Sequence, residues 1–329
     1  MTDAGMTRPG GTDVGRTDPV LRRGRVALAL SFGVQGVAFA LLVTRIPALQ
    51  DQYGISDGLL PAFLAAVPIL AGVGSVLTEK VVTRVRPGTV LRWAQPLVLL
   101  ALLGAGAGRE MWQVAVALGV FGLAVGALDA SMNMLGVSLQ RAYGRSIMLG
   151  FHAAFSLGGI VGASLAWAGA RWELSLFVSY LPVVAVLLPA ALVGSRWYTD
   201  GKGKGKAPEP GGDGSGGAGG ALSFKLLLPL CLVMCFAYIG DSTVSNWSAK
   251  YLQDVLGSSE QLATVPYNVY MVTTLLGRAV GDHGVRRFGA VAVVRAGSLL
   301  AAGGSRWWRW RRGPGWGWPD SPCWGSGSV

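Results

Sequence analysis

Val26–Thr44 reads VALALSFGVQGVAFALLVT, nineteen residues that carry no charge and a single side-chain amide, at Gln35. At about 1.5 Å of rise per residue, a helix of this length matches the roughly 30 Å hydrocarbon core of a bilayer. A surface helix of a soluble domain would show a polar face, and this stretch has none. Similar runs follow at Leu59–Leu77, Val90–Ala107, Met111–Ser138, Ile147–Gly169, Leu174–Val193, Phe224–Ser245 and Leu262–Val280. A ninth, Phe288–Gly304, is short and interrupted by Arg295. With 51% hydrophobic and 14% charged residues, the 329-residue chain is too apolar for a soluble domain. The reading is an all-α polytopic membrane protein of eight or nine spans. Residues 1–25 are polar and the first apolar run is too long for a signal core, so the first span is expected to be retained.

The net charge of +11 could suggest nucleic acid, but the basic residues alternate with spans and form no aromatic-interleaved patch before residue 305. Their placement is topological. With the N-terminus inside, the cytoplasmic segments hold twenty Lys and Arg, against four on the other side: Arg45, Arg109, Arg171 and Lys250. That asymmetry is what the positive-inside rule requires of a protein in the bacterial inner membrane. Membrane lipid is therefore the expected surrounding partner, and nucleic acid is not one.

An internal repeat organises the spans. LQDQYGIS at Leu49–Ser56 follows span 1, and LQDVLGSS at Leu252–Ser259 follows span 7, a shift of 203 residues. The same shift carries Gly74 onto Gly277, Glu79 onto Asp282 and Arg84 onto Arg287, in the loops after spans 2 and 8. A duplication of six helices explains one register in two places, since an even number of spans makes a parallel repeat. Between the copies lies GKGKGK followed by GGDGSGG, a solvated flexible linker. The expected organisation is a cytoplasmic tail over 1–24, a six-helix bundle over 25–194, a linker over 195–223, a partial second bundle over 224–304 and a Trp/Arg/Gly tail over 305–329. Carried by the same shift, a complete second copy would run to about residue 400. The second half is thus expected to lack counterparts of spans 4 to 6, with a reading-frame change near residue 304 as the origin of the tail.

The loop GRAVGDHGVRRFG at Gly277–Gly289 is similar to the Gly-x-x-x-Asp-x-x-x-Arg-x-Gly loop of the major facilitator superfamily, and the chain resembles that superfamily over roughly residues 25 to 300. The first-half copy, Gly74 to Gly88, is degenerate, with Glu79 in place of Asp and Pro87 interrupting. Val43-Thr44-Arg45-Ile46-Pro47 and the stretch Phe151–Gly159 look like the uncharacterised bacterial branch labelled YbjJ-like. The resemblance implies a facilitator-type helical bundle with a complete six-helix N-terminal half and an incomplete second half. It further implies a cytoplasmic gating loop in which Glu79 with Arg84, and Gly277, Asp282, Arg286 and Arg287, latch one side of alternating access. Interfacial charges snorkelling to water are the alternative reading of these residues.

Asp129 lies roughly 16 Å from Gln140 at the cytoplasmic end of span 4, which is mid-membrane. An ionised carboxylate there is costly unless it meets a wet cavity or a partner, so a functional role is the default. Asn133, four residues on, shares its face and is a second contact for a polar solute. Both could instead serve only as interhelical hydrogen bonds. His152 in span 5 reaches a similar depth and could exchange a proton with a neighbouring carboxylate near neutral pH, or merely donate a structural hydrogen bond. Gln35 in span 1 and Asp241 in span 7 complete the candidate substrate and proton pathway. For Asp241 a helix end near the interface is an equal reading, with Trp247 as its anchor. Arg45, just before Pro47, is expected as an outer interfacial anchor, with contact to an anionic substrate as the alternative reading.

Gly122, Gly126, Gly158 and Gly162 are small residues at four-residue spacing and are read as helix-packing positions. Cys231 and Cys235 are expected as packed thiols, and Cys323 has no disulfide framework around it. His152 and His283 lack ligand neighbours at metal spacing, and no phosphate-binding loop is present, so neither a metal, ATP nor another cofactor is expected. The function that follows is secondary transport of a small solute, with coupling to protons read from Asp129 and His152. A non-transporting remnant or membrane assembly partner is the alternative. A membrane enzyme is not expected, since no nucleophile, base and orienting group converge.

Overall fold

The computed structural model describes residues 18–144, 147–199 and 224–311. All regular structure among them is helical: α1 (Pro19–Thr44), α2 (Ile46–Tyr53), α3 (Leu60–Val81), α4 (Pro87–Ala107), α5 (Met111–Tyr143), α6 (Met148–Arg171), α7 (Leu176–Gly194), a single 3-10 turn (Ser195–Trp197), α8 (Phe224–Asp254), α9 (Glu260–Ala263), α10 (Val265–Phe288) and α11 (Ala290–Arg311).

Capping residues set several boundaries. The Asp18 carboxylate accepts the Val20 amide at 2.9 Å and Pro19 occupies the first helical position, where a missing N–H is no loss. α1 therefore begins about two turns before the apolar run at Val26, inside the segment expected as a polar tail. Glu110 and Gln113 form a reciprocal capping box at the start of α5, and Ser175 caps α7. The start of the expected linker is also fixed. Tyr198 places its hydroxyl 2.6 Å from Ser31 Oγ and donates to Gln95 Oε1 at 2.9 Å, while Arg92 donates to the Ser195 carbonyl at 3.1 Å. Residues 1–17, the linker over 200–223 and the tail over 312–329, Cys323 included, lie outside the described residues; α11 carries the helix on through Arg311.

Gly54 closes α2 at φ 60°, and Gly257, which follows α8, sits at φ 61°. Glycine takes this left-handed turn without the steric cost of a Cβ. The two glycines occupy the same place in the repeated stretch, so the 203-residue shift carries a backbone conformation as well as residue types.

Among the described residues, six helices are long and apolar enough to cross a membrane: α1, α3, α4, α5, α6, and α7 with its 3-10 turn. The expected seventh and eighth spans fall on α8 and α10, of 31 and 24 residues, which have the length but carry more polar side chains. On α11, the place of the doubtful ninth, the apolar stretch is only Val291–Leu300. Two compact units are present, one ending at Leu275 and the other beginning at Leu276. In the first, α1 packs along α6, α3 along α5, and α4 against both α5 and α7. α1 is the innermost span, with 72% of its most apolar stretch buried against 11% for α3. Apolar side chains such as Ile69, Val76, Trp93 and Leu97 face outward, as they do where the surrounding solvent is lipid. In the second unit, the end of α10 turns at Gly289 into α11.

The glycines read as packing positions all sit against backbone of a facing helix. A Cβ at Gly122 would lie 2.7 Å from the Val67 carbonyl oxygen, and one at Gly162 would lie 2.6 Å from that of Val37. Gly126 meets the Ala71 carbonyl and Gly158 that of Gly33 more closely still. Helices that cannot use the hydrophobic effect against lipid gain their contact through such close approach. Cys231 and Cys235, by contrast, are free and exposed rather than packed. They fall in the first half of α8, where every described side chain is exposed; burial begins only at Asp241.

Gly126→Leu is expected to drive α5 from α3 and lower the melting temperature in detergent by an overpacking cost of about 1–3 kcal/mol. Gly72→Leu, on the same pair of helices with nothing within 4 Å of its added Cβ, is expected to leave it unchanged.

Candidate functional site

The α1–α6 contact positions the first group of polar side chains. Gly33 and Gly36 face Gly158 and the Phe155 carbonyl, so the two helices touch backbone to backbone. Fixed at that separation, Phe32 of α1 stacks on Phe151 of α6 and meets the edge of the His152 ring, both at 5.5 Å between centroids. One turn along α1, Gln35 is buried and its side chain is within hydrogen-bonding range of the Asp129 carboxylate on α5, with His152 close enough to act on that carboxylate electrostatically. Gln35, Asp129 and His152 therefore meet from three different spans. Asp129 keeps an exposed surface as a residue, while its carboxylate lies largely within the protein. Asn133 lies beside the group but its amide donates to the Asp129 backbone carbonyl at 2.9 Å, which turns it onto its own helix.

Asp241 does not join this group. Its carboxylate accepts from the Tyr270 hydroxyl, and it lines a cavity of about 220 Å³ bounded by α1, α2, α3, α5 and α8. Val125, one turn from Asp129, reaches the wall of that cavity; Asp129 itself does not.

The two ends of the bundle differ in charge pairing. Arg45, 3% exposed, has Nε 2.9 Å from Glu260 Oε1, and its terminal nitrogens donate to the carbonyls of Ala166 at 3.4 Å and Leu174 at 3.2 Å. Lys250 Nζ reaches Asp57 and the Gln50 amide oxygen, each at 2.9 Å, and also pairs with Asp254. At the other end Glu79 and Arg84 are exposed, and no ion pair joins them among the described residues. Gly277 and Arg287 belong to the second unit, where the Arg287 guanidinium lies 5.5 Å from the Phe288 ring centroid. The side chains of Asp282 and Arg286 lie outside the described residues.

No family model matches the chain. It is 30% identical over 296 residues to an uncharacterized MFS-type transporter of Yersinia pestis, a match covering 84% of this chain and 70% of that relative. An uncharacterized transporter of Sinorhizobium fredii is 25% identical over 281 residues, covering 84% and 72%. Membrane protein MosC of Rhizobium meliloti is 25% identical over 298 residues, covering 87% and 68%. The chain belongs to the major facilitator superfamily.

In this facilitator the Arg45 pairing went unread in the sequence, where Arg45 was an outer anchor and Glu260 carried no role. An anchor would extend to the interface; Arg45 instead turns into the bundle and is almost fully buried. The available signal was its position, between an uninterrupted apolar run and Pro47, at the start of the repeated stretch. Burying a guanidinium is tolerated only when its charge and donors are matched. Breaking such a pair from one side costs about 3–5 kcal/mol, whereas an exposed pair is worth at most about 1 kcal/mol. The Lys250 contacts are mixed: the lysine is largely buried, but its Asp57 partner is 81% exposed, so solvent screens the pair.

Hydrogen bonds from Gln50 and Lys250, with the Lys250 charge, hold Asp57 below its ordinary value of 3.8. Burial alone would lower Lys250, but Asp254 and Asp57 together raise it above 10.5. A lowered acid stabilises the fold above its unfolded value, and a raised base stabilises it below its unfolded value. The pairing is thus fully present between the two, fading as pH falls through the Asp57 value or rises through that of Lys250.

Two outcomes are expected. Glu260→Gln should destabilise the purified protein by about 3 kcal/mol by stranding the Arg45 charge, with Arg45→Met/Glu260→Leu recovering most of the loss in thermal melts. The coupling energy between Lys250→Met and Asp57→Asn should be constant from about pH 5 to about pH 9 in a double-mutant cycle and should shrink in high salt.

Proposed function

We propose that this facilitator moves a small solute across the bacterial inner membrane as a secondary active transporter, by alternating access, with its N-terminus in the cytoplasm and protons as the coupling ion. The observation that carries the reading is the meeting of Gln35, Asp129 and His152 from three spans in the middle of the bundle. A carboxylate at that depth is retained when it binds something or moves a proton. A histidine beside it supplies a second group that titrates near neutral pH, so one proton can be held between them and released when the surroundings change. Gln35 donates to the carboxylate in either arrangement and keeps it oriented.

The names of two relatives as transporters support the class, and the placement of Lys and Arg supports the orientation. In this reading the Arg45–Glu260 and Lys250 contacts hold the outer end shut while the end with Glu79 and Arg84 is released. The loop with Gly277, Asp282, Arg286 and Arg287 re-forms the latch at the cytoplasmic end in the opposite state. Lipid surrounds the bundle; the other partners are the solute and protons.

The test begins with a stabilisation screen of small solutes on the purified chain, because a ligand that binds only the folded state raises its melting temperature. The solute that stabilises it should accumulate in proteoliposomes under a proton gradient. Asp129→Asn should lose at least tenfold of that accumulation while retaining solute exchange in the absence of a gradient. A flux that ignores pH would remove the coupling, and a complete lack of uptake by the unmutated chain would leave a non-transporting membrane protein.

A further inference from the structure

The cavity between α1, α2, α3, α5 and α8 is built asymmetrically. Its walls from the first bundle are apolar, with Phe39, Leu42, Phe63, Leu64 and Val67 among them, and its polar groups all come from one helix. On α8, Asp241 and Ser245 are one turn apart, as are Ser242 and Asn246, so the four share one side of that helix and line the cavity together.

Two of these groups are not spent within the protein. Asp241 accepts from the Tyr270 hydroxyl through one oxygen, and no Lys or Arg among the described residues forms an ion pair with it. Ser245 is 3% exposed, and its hydroxyl has no hydrogen-bond partner. Ser179 on α7 is in the same state, whereas several other helical hydroxyls are not. Ser31, Thr44, Thr78, Ser131, Ser164 and Thr243 each donate back to the carbonyl four residues earlier, at 2.6 to 3.1 Å. A buried hydroxyl without a partner costs about 1–3 kcal/mol, and a carboxylate against an apolar wall costs more unless a cation reaches it.

We infer that this cavity binds a small organic monocation, an amine on a compact apolar body, with its ammonium held by Asp241 and Ser245 and its body against Phe39, Phe63 and Leu64. The inference rests on the transporter reading only in making the amine its solute. A cavity of about 150 Å³ takes one benzene. About 220 Å³ therefore suits a single ring bearing a short aminoalkyl arm. An ammonium supplies three donors, enough for the free Asp241 oxygen and the Ser245 oxygen at once. Aromatic side chains in the wall add attraction for the cation that a neutral ligand would not feel. An anion would face Asp241 with no compensating charge, and a bare metal ion would find a single carboxylate among hydrocarbon.

The experiment uses the full chain in detergent and three probes that share one apolar body: cyclohexylmethylamine, cyclohexylmethanol and cyclohexanecarboxylate. Binding is read by isothermal titration and by the shift in melting temperature. The amine is expected to bind at least tenfold more tightly than the alcohol, with no binding of the carboxylate. Asp241→Asn should lose at least tenfold of the amine affinity while leaving the affinity for the alcohol and the unliganded melting temperature near their starting values. Ser245→Ala should lose a smaller factor.

Equal affinities for amine and alcohol, an Asp241→Asn variant that still binds the amine fully, or no binding of any probe would each overturn the proposal. Amine binding without flux in proteoliposomes would sink the transporter reading and keep the site. Flux of another solute with no amine binding would do the reverse.

Discussion

Between α1 and α6, carbonyl oxygens rest where side chains would otherwise stand. Gly36 faces the Phe155 carbonyl and Gly158 faces that of Gly33, and a methyl group at either glycine would overlap the opposing backbone. In lipid there is no hydrophobic gain from bringing two apolar helices together, so association depends on dispersion over closely fitted surfaces. That fit makes α1 the innermost span and fixes the level at which Phe32, Phe151 and His152 meet. Gln35 follows one turn later and reaches Asp129 because α5 is held at the same depth. The polar group in the middle of the bundle is a consequence of small residues that have no polar chemistry of their own.

Charge is distributed with the opposite economy at the two ends. The Arg45 guanidinium is taken out of solvent and matched by Glu260 and two carbonyls, an arrangement whose value lies in being hard to break from one side. The Lys250 contacts reach carboxylates that stand in solvent, which screens them. Together they join the α2 region of the first copy to α8 and α9 of the second, across the two loops that share the repeated sequence. At the other end Glu79 and Arg84 are exposed, and no ion pair joins them among the described residues.

Much of the fold was legible because a bilayer constrains sequence severely. Every backbone polar group in hydrocarbon must be satisfied within its own segment, so apolar runs of one length announce helices directly. The six spans of the first half and the glycines at their contacts were readable for this reason. Boundaries were less so. α1 starts at Pro19 because a carboxylate caps it there, and Tyr198 ties down residues that looked like open linker. The thiols of Cys231 and Cys235 were placed in a packed interface by their composition, yet they sit on a stretch of α8 that no described helix covers.

The sequence by itself determined the class of protein and the number and order of the first six spans. Those follow from hydrophobic length and from periodicity, which are properties of one segment at a time. Only the tertiary structure decided which of the polar residues share a site. Gln35, Asp129 and His152 converge, Asn133 folds back on its own helix, and Asp241 opens into a separate cavity beside an unpartnered Ser245. Only it decided, too, that Arg45 turns inward to Glu260, since the two are far apart along the chain and no local pattern encodes their pairing. A side chain's depth is written in its own helix, but its neighbours are set by how that helix is rotated against the others.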